Sequence, residues 1–382
     1  MVVNPYKDAA DIIFDKGGEI LNLCYQCGIC TTKCPWNIVR SFPVRQIIHK
    51  SQLGLTDFET DDIWLCVTCK VCVDRCPRGV EIIDIWKALR RVVSELGAGT
   101  VPESLRIGYK NVCGVGNPLG EPAEKRADWA KNLEVKTFTK GTEILYLPCC
   151  IPAYDPKFQR VAHATAKLLK EAKVDYGILL NTEVACCGES IRKIGQEQTF
   201  QDLARINIDL FNEAGVKTVV VTSPHCYQSI KNEYPELEGN FEVFHFVQYL
   251  TQLIEEQKLK LTKAINKKVT YHDSCYLGRH NGIYDEPRYV LESIPGLELV
   301  EMYNSHDNSL CCGGGGGRVW EETKKGERFA EIRVEQALEV EAEIIATACP
   351  YCMVMFEDSI LSMNKEDSIE VKDIAELVLD AT

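Results

Sequence analysis

The 382-residue sequence has no apolar run approaching the ~18 residues of a membrane-spanning helix. Its first ten residues show no basic start leading into an apolar segment, so no secretory signal is expected. It also lacks an excess of basic charge. With 43 Lys and Arg against 56 Asp and Glu, the net charge is −13, which argues against nucleic acid and anionic lipid as non-specific partners. No Gly-Lys-Ser/Thr follows its glycine run, and that run does not open a strand-to-helix turn with a ribose-binding acid downstream. A phosphate-binding loop and a nicotinamide or flavin (NAD or FAD) site are therefore not expected. These absences predict a cytoplasmic protein, with any membrane attachment left to a partner subunit.

What is plentiful is cysteine, with 19 residues. A chain of this length buries adequate cores without disulfides, so cysteines in a reducing compartment point to metal ligands or redox groups. Two runs stand near the N-terminus: Cys24-x2-Cys27-x2-Cys30-x3-Cys34-Pro35 and Cys66-x2-Cys69-x2-Cys72-x3-Cys76-Pro77. Both have the two-cluster ferredoxin spacing, in which the fourth cysteine of each run serves the other cluster. Cys24, Cys27, Cys30 and Cys76 are then expected on one [4Fe–4S] cubane, and Cys34, Cys66, Cys69 and Cys72 on a second. Structural zinc also takes four thiolates, but ordinarily from separated C-x2-C pairs. Residues 43–53 and 80–96 have helical periodicity. Residues 98–141, rich in Gly and Pro and with the lone Cys113, are expected to link two bodies without a long regular element.

The remainder is a duplication. One unit begins at the strand-like 143–149 and the other at 268–275. Each runs to a Cys-Cys-Gly triplet, Cys186-Cys187-Gly188 or Cys311-Cys312-Gly313, and the step from Cys150 to Cys186 equals that from Cys275 to Cys311. A helix and a strand ending in cysteine follow in both. Alternating strands and helices predict two Rossmann-like α/β lobes with mainly parallel sheets, over 142–262 and 263–382, behind an α-helical ferredoxin-type module over 1–97. Ligands of such sheets gather at the carboxyl ends of strands, where these cysteines fall. Two facing lobes would leave a cleft between them. The second unit carries Cys275, Cys311, Cys312, Cys349 and Cys352, more thiols than one zinc or one regular cubane consumes. The glycines at 313–317 would let backbone N–H groups approach the sulfurs. The first unit keeps Cys150, Cys186, Cys187 and Cys226, with Ser229 where a last cysteine is expected and Cys149 as a fifth thiol from a strand end of different direction. An altered cluster, a cubane, zinc or no metal all remain open there. His225 and His272 flank cysteines and are candidates for tuning a cluster or carrying protons.

The spacing C-x35-CC-x36-C-x2-C of the second unit, with CCGGGGG at 311–317 and CPYC at 349–352, resembles the cysteine-rich CCG domain of heterodisulfide reductase. Two ferredoxin runs before two such units resemble the D-type subunit of that enzyme, from Cys24 to Cys352. The resemblance implies a non-cubane [4Fe–4S] cluster on Cys275, Cys311, Cys312, Cys349 and Cys352, where a disulfide is cleaved with electrons delivered singly by the ferredoxin clusters. A second function stays open: a non-catalytic electron-transfer subunit of a larger anaerobic complex, such as benzoyl-CoA reductase, acyl-CoA dehydrogenase with electron-transferring flavoprotein, or sulfite-reduction assemblies. The expected partners are a flavoprotein, a ferredoxin or a membrane cytochrome.

Overall fold

Two four-stranded sheets, every pairing parallel, form the C-terminal two-thirds of the chain. The computed structural model describes residues 7–55, 61–180 and 184–382. In the first lobe the strands are β1 (Ile144–Leu147), β2 (Tyr176–Gly177), β3 (Thr218–Val221) and β4 (Glu242–His245), in the order β2-β1-β3-β4. The second lobe repeats this with β5 (Lys268–Tyr271), β6 (Glu298–Val300), β7 (Ile344–Thr347) and β8 (Glu370–Asp373), in the order β6-β5-β7-β8. The central strands read ILYL, TVVV, KVTY and IIAT, apolar on both faces because helices cover both. In each lobe the strand order reverses between the two central strands, and such a switch point opens a crevice beyond the strand ends. Both last helices start with a capping box, at His245 and at Asp373.

The N-terminal module is helical. Its amphipathic helices Val44–Gln52 and Ile82–Leu96 lie where the apolar periodicity placed them. The connecting segment departs from expectation. It holds a 13-residue helix, Glu103–Val115, and a 3-10 stretch, Ala123–Ala130. Leu105, Val112, Asn117 and Trp129 are buried, so the segment is part of the core rather than a surface strap. Its glycines give the impression of irregularity, yet Gly108 is where Trp320 packs: a Cβ there would stand 2.9 Å from the indole.

Among the described residues, no helix is long and apolar enough to cross a membrane.

Candidate metal centres

The two N-terminal cysteine runs adopt the same backbone path. Gln26 and Gly28 in the first, and Thr68 and Lys70 in the second, have positive φ of 67°, 86°, 51° and 69°. Left-handed residues between the cysteines curl the loop so that its N–H groups face inward, the concave nest that suits an anionic cluster. A short helix closes each loop, Ile29–Lys33 or Val71–Asp74. Cys24, Cys27, Cys30 and Cys76 line one cavity together with Ile48, Val80 and Ile82. Gln26 Nε2 and the Val80 N–H point at the sulfurs of Cys24 and Cys76, at 3.5 and 3.4 Å. The other four thiols also meet. Burial pushes the Cys72 thiol well up, and Cys69, Cys66 and Cys34 beside it push further. The structure thus brings together the two crossed sets expected from the spacing. Cys27 of the first set is exposed, whereas in the second set Cys69 is buried and the other three are partly buried, so the first set reaches the surface and the second lies further in.

In the second lobe, Cys275 follows β5, Cys311 and Cys312 precede the glycine run, and Cys349 caps the helix Pro350–Ser362 after β7. The Cys275 and Cys311 sulfurs are 3.8 Å apart, and Cys352 Sγ lies 3.3 Å from Cys312 Sγ. None is in a disulfide, and all five are buried. Hydrogen bonds from Cys311 and Cys352 hold the Cys312 thiol well below its usual range despite burial, with His272 adding to the effect. Burial would raise Cys349, but Cys352 and the His225 imidazolium pull it down to about 5. A buried set of five thiols, two already inclined to ionise, fits a thiolate-bound metal group rather than an inert core.

The glycine run has a further purpose. Gly313 N–H reaches Cys311 Sγ at 3.4 Å, as expected. Gly315 and Gly316, however, press on the second ferredoxin loop. A Cβ on Gly315 would be 2.3 Å from the Val67 carbonyl oxygen, and one on Gly316 2.4 Å from that of Cys66. This contact brings Cys69 of the ferredoxin set beside Cys311 of the second lobe, where Cys311 and burial push the Cys69 thiol well up. Two buried arginines fix the junction. Arg279 Nε donates to the Cys69 carbonyl at 2.7 Å and Nη1 to that of Ser309 at 2.7 Å, while Nη2 has no partner among the described residues. Arg90 donates to the carbonyls of Ile63, Cys66, Lys193 and Gly316, at 2.8–3.0 Å. A single guanidinium therefore clamps the ferredoxin module and both lobes.

The first lobe revises one sequence expectation. Val221 pairs with His245 as Thr347 pairs with Asp373, and Pro224 and Pro350 both open the following helix. Cys226 is therefore the counterpart of Cys352, and the position lacking its cysteine is Ser223, not Ser229. Counting forward from Cys226 as though it matched Cys349 shifts the register by three residues. Cys149 also turns toward the other thiols, contrary to expectation. Cys226 lies against Cys149 and Cys187, and Cys186 against Cys150 and Cys187. Arg126, from the connecting segment, is buried against Cys150 and Cys186.

Stacked rings join the ends of the two sheets, and open grooves lined by residues of both lobes lie elsewhere along their junction. His280 stacks on Tyr276 at 4.1 Å, Tyr276 on His225 at 4.0 Å and His225 on Tyr351 at 4.3 Å. His225 Nδ1 is 3.0 Å from Glu189 Oε2, and both residues are buried. Although burial opposes both charges, the pair holds Glu189 down to about 2 and His225 up to about 10. His272 sits beside Cys312 and Cys352, their ligand atoms within 4.8 Å of one another. Cys113 is exposed, unlike the cysteines of either lobe. Arg90, Arg126, Arg279 and Glu189 carry no signal in the sequence strong enough to mark them; only Glu189, placed where the second triplet continues in glycine, leaves a trace there.

Comparison with known proteins defines the class first. Residues 23–81 match the 4Fe-4S dicluster domain, and residues 144–231 and 269–357 each match the CCG cysteine-rich domain. The D-type subunit of the dihydromethanophenazine:CoB–CoM heterodisulfide reductase of Methanosarcina barkeri is 32% identical over 392 residues, 94% of either chain. The EtfAB:quinone oxidoreductase of Syntrophomonas wolfei subsp. wolfei is 37% identical over 336 residues, covering 84% of this chain and 47% of that one. The chain spans about half the length of such longer relatives. A hypothetical protein from Helicobacter pylori shares the fold, with a TM-score of 0.55 at 10% identity over 88% of this chain and 66% of that one. The chain belongs to the family of iron–sulfur oxidoreductases typified by the D-type subunit of heterodisulfide reductase.

Proposed function

We propose that the chain is a wire for single electrons, from the surface set of Cys24, Cys27, Cys30 and Cys76, through Cys34, Cys66, Cys69 and Cys72, to the second-lobe set of Cys275, Cys311, Cys312, Cys349 and Cys352. Iron–sulfur clusters bound at these thiols, two cubane and one non-cubane, would supply the one-electron chemistry. The observation that supports this best is the close packing of Gly315 and Gly316 on the backbone of Val67 and Cys66, which sets the inner ferredoxin loop and its Cys69 beside the second-lobe thiols. The residues of the chain do the rest. Arg279 offsets thiolate charge at the junction, the glycine run allows the close approach, and burial keeps water from the second-lobe set. The partners on this reading are two redox proteins, an electron donor docking near exposed Cys27 and an acceptor of the kind that the name EtfAB:quinone oxidoreductase implies, in a membrane or in solution.

Disulfide reduction at the second-lobe set is the second reading. It is favoured by the five-thiol arrangement and by the end-to-end similarity to a heterodisulfide reductase component. Full burial of the five cysteines favours electron passage over direct contact with a substrate of that size.

Anaerobically prepared Cys312→Ser tests the assignment. The expected result is loss of the second-lobe iron and its EPR signal, survival of the ferredoxin signals, and arrest of electrons at the ferredoxin module in rapid-mixing reduction. Electron delivery to an acceptor at the unaltered rate would overturn it. Disulfide turnover by the unaltered chain, abolished in Cys312→Ser, would decide for the second reading.

A further inference from the structure

We propose that the first lobe carries an iron–sulfur group of its own on Cys149, Cys150, Cys186, Cys187 and Cys226, with Cys149 standing in for the thiol that the second lobe supplies from Cys349. The proposal rests on the same chemistry as the second-lobe reading, applied to different residues.

Strand register carries the case. Ile144 pairs with Thr218, and Val269 with Ile344, so the two lobes superpose residue by residue at the ends of their central strands. Cys150 then matches Cys275, and Cys149 matches Ser274. On the neighbouring strand, Ser223 matches Cys349 and Cys226 matches Cys352. The lobes differ by two exchanges of opposite sense. The first has lost a thiol at the end of β3 and gained one at the end of β1; the second lobe has the reverse. β1 and β3 are hydrogen-bonded neighbours, about 4.8 Å apart, so a thiol moved from one end to the other still reaches the same space. It does so here: Cys149 lies against Cys226, as Cys349 lies against Cys352. Thiol number is kept, although the family's C-x2-C is broken.

A second observation points to an anionic occupant. Arg126 is only 8% exposed, and its Nη1 has no hydrogen-bond partner among the described residues. The groups that favour its charge are Cys150, Tyr154 and Cys186. A buried cation among neutral thiols is costly, whereas metal-bound thiolates supply its counter-charge. Arg279 has the same relation to Cys275 and Cys311, again with one guanidinium nitrogen unpartnered. The two arginines come from different parts of the chain, one from the connecting segment and one from the loop after β5, yet each faces the first cysteine pair of its lobe.

The test is metal and acid-labile sulfide content of the full chain, purified without oxygen, and needs no activity. On four-iron clusters, the unaltered chain should hold about 16 irons and Cys149→Ser about 12. The double variant Cys149→Ser/Ser223→Cys should recover about 16, because it rebuilds in the first lobe the thiol pattern of the second. Far-UV circular dichroism identifies any variant that has lost its fold. About 12 irons in the unaltered chain, with or without zinc, unchanged iron and sulfide in Cys149→Ser, or a folded double variant that regains no iron would each overturn the proposal. Failure of the second-lobe assignment is a separate event, seen as Cys312→Ser retaining all its iron.

Discussion

The two lobes share strand order, strand register and the placing of their cysteine pairs, yet only one of them touches the ferredoxin loops through its thiols. The difference lies just after the paired cysteines. The second lobe continues Gly313–Gly317 and admits the backbone of Val67 and Cys66. The first continues Gly188-Glu189 and fills the corresponding region with buried charge: Glu189 with His225, and Glu233 with Lys193 at 2.7 Å and with Arg192 at 3.5 Å. Duplicated folds can thus be set to different tasks by the few residues next to their ligands. Where side chains are absent, a neighbouring module docks; where charges pair, the lobe is sealed.

Four substitutions test that contrast. The largest effect is expected from Arg90→Ala, which strips donors from four buried carbonyls belonging to all three bodies. It should cost about 4 kcal/mol, read from the urea midpoint, and a loss confined to one lobe would show that the clamp is not shared. Glu189→Gln, which leaves the His225 imidazolium without its counter-charge, should cost about 3 kcal/mol. Equal stability to the unaltered chain would mean that the first lobe is not sealed by charge. Gly316→Ala forces a Cβ toward the Cys66 carbonyl at positive φ and should lower stability by about 2 kcal/mol. Thermal unfolding checks this, and the same change at Gly326, where the Cβ meets nothing within 4 Å, is the control for backbone conformation alone. Ser229→Ala should change stability by less than about 0.5 kcal/mol and leave iron content unaltered, because its buried hydroxyl has no partner among the described residues. Loss of iron in that variant would reinstate Ser229 as the missing ligand position.

Much of the architecture was legible in the sequence because repetition and apolar periodicity are local signals. The central strands and the helix Ile82–Leu96 lie where periodicity put them, and Cys76 joins Cys24, Cys27 and Cys30 around one cavity. The helix Glu103–Val115 was not legible, since its Gly108 answers to Trp320, more than two hundred positions away. The misplacing of the missing thiol at Ser229 had a similar origin: cysteine was matched to cysteine, whereas Pro224 and Pro350 held the true register. Arg90 and Arg279 were invisible for a physical reason. Their partners are backbone carbonyls and distant thiols, which leave no mark in residue type, and a lone arginine in a sequence is most often solvated.

The column of His280, Tyr276, His225 and Tyr351 has a mechanical consequence. Its rings come from the loop after β5 and from the helices that follow β3 and β7, so any clamshell motion of the lobes must pull Tyr276 from His225 and His225 from Tyr351. At about 0.5–1.5 kcal/mol for each of these two contacts, with the hydrogen bond between Ser190 and Tyr351 broken as well, such opening is a rare excursion. The paired sheets behave as one stiff block, and a docking protein meets a face whose shape is set before it arrives.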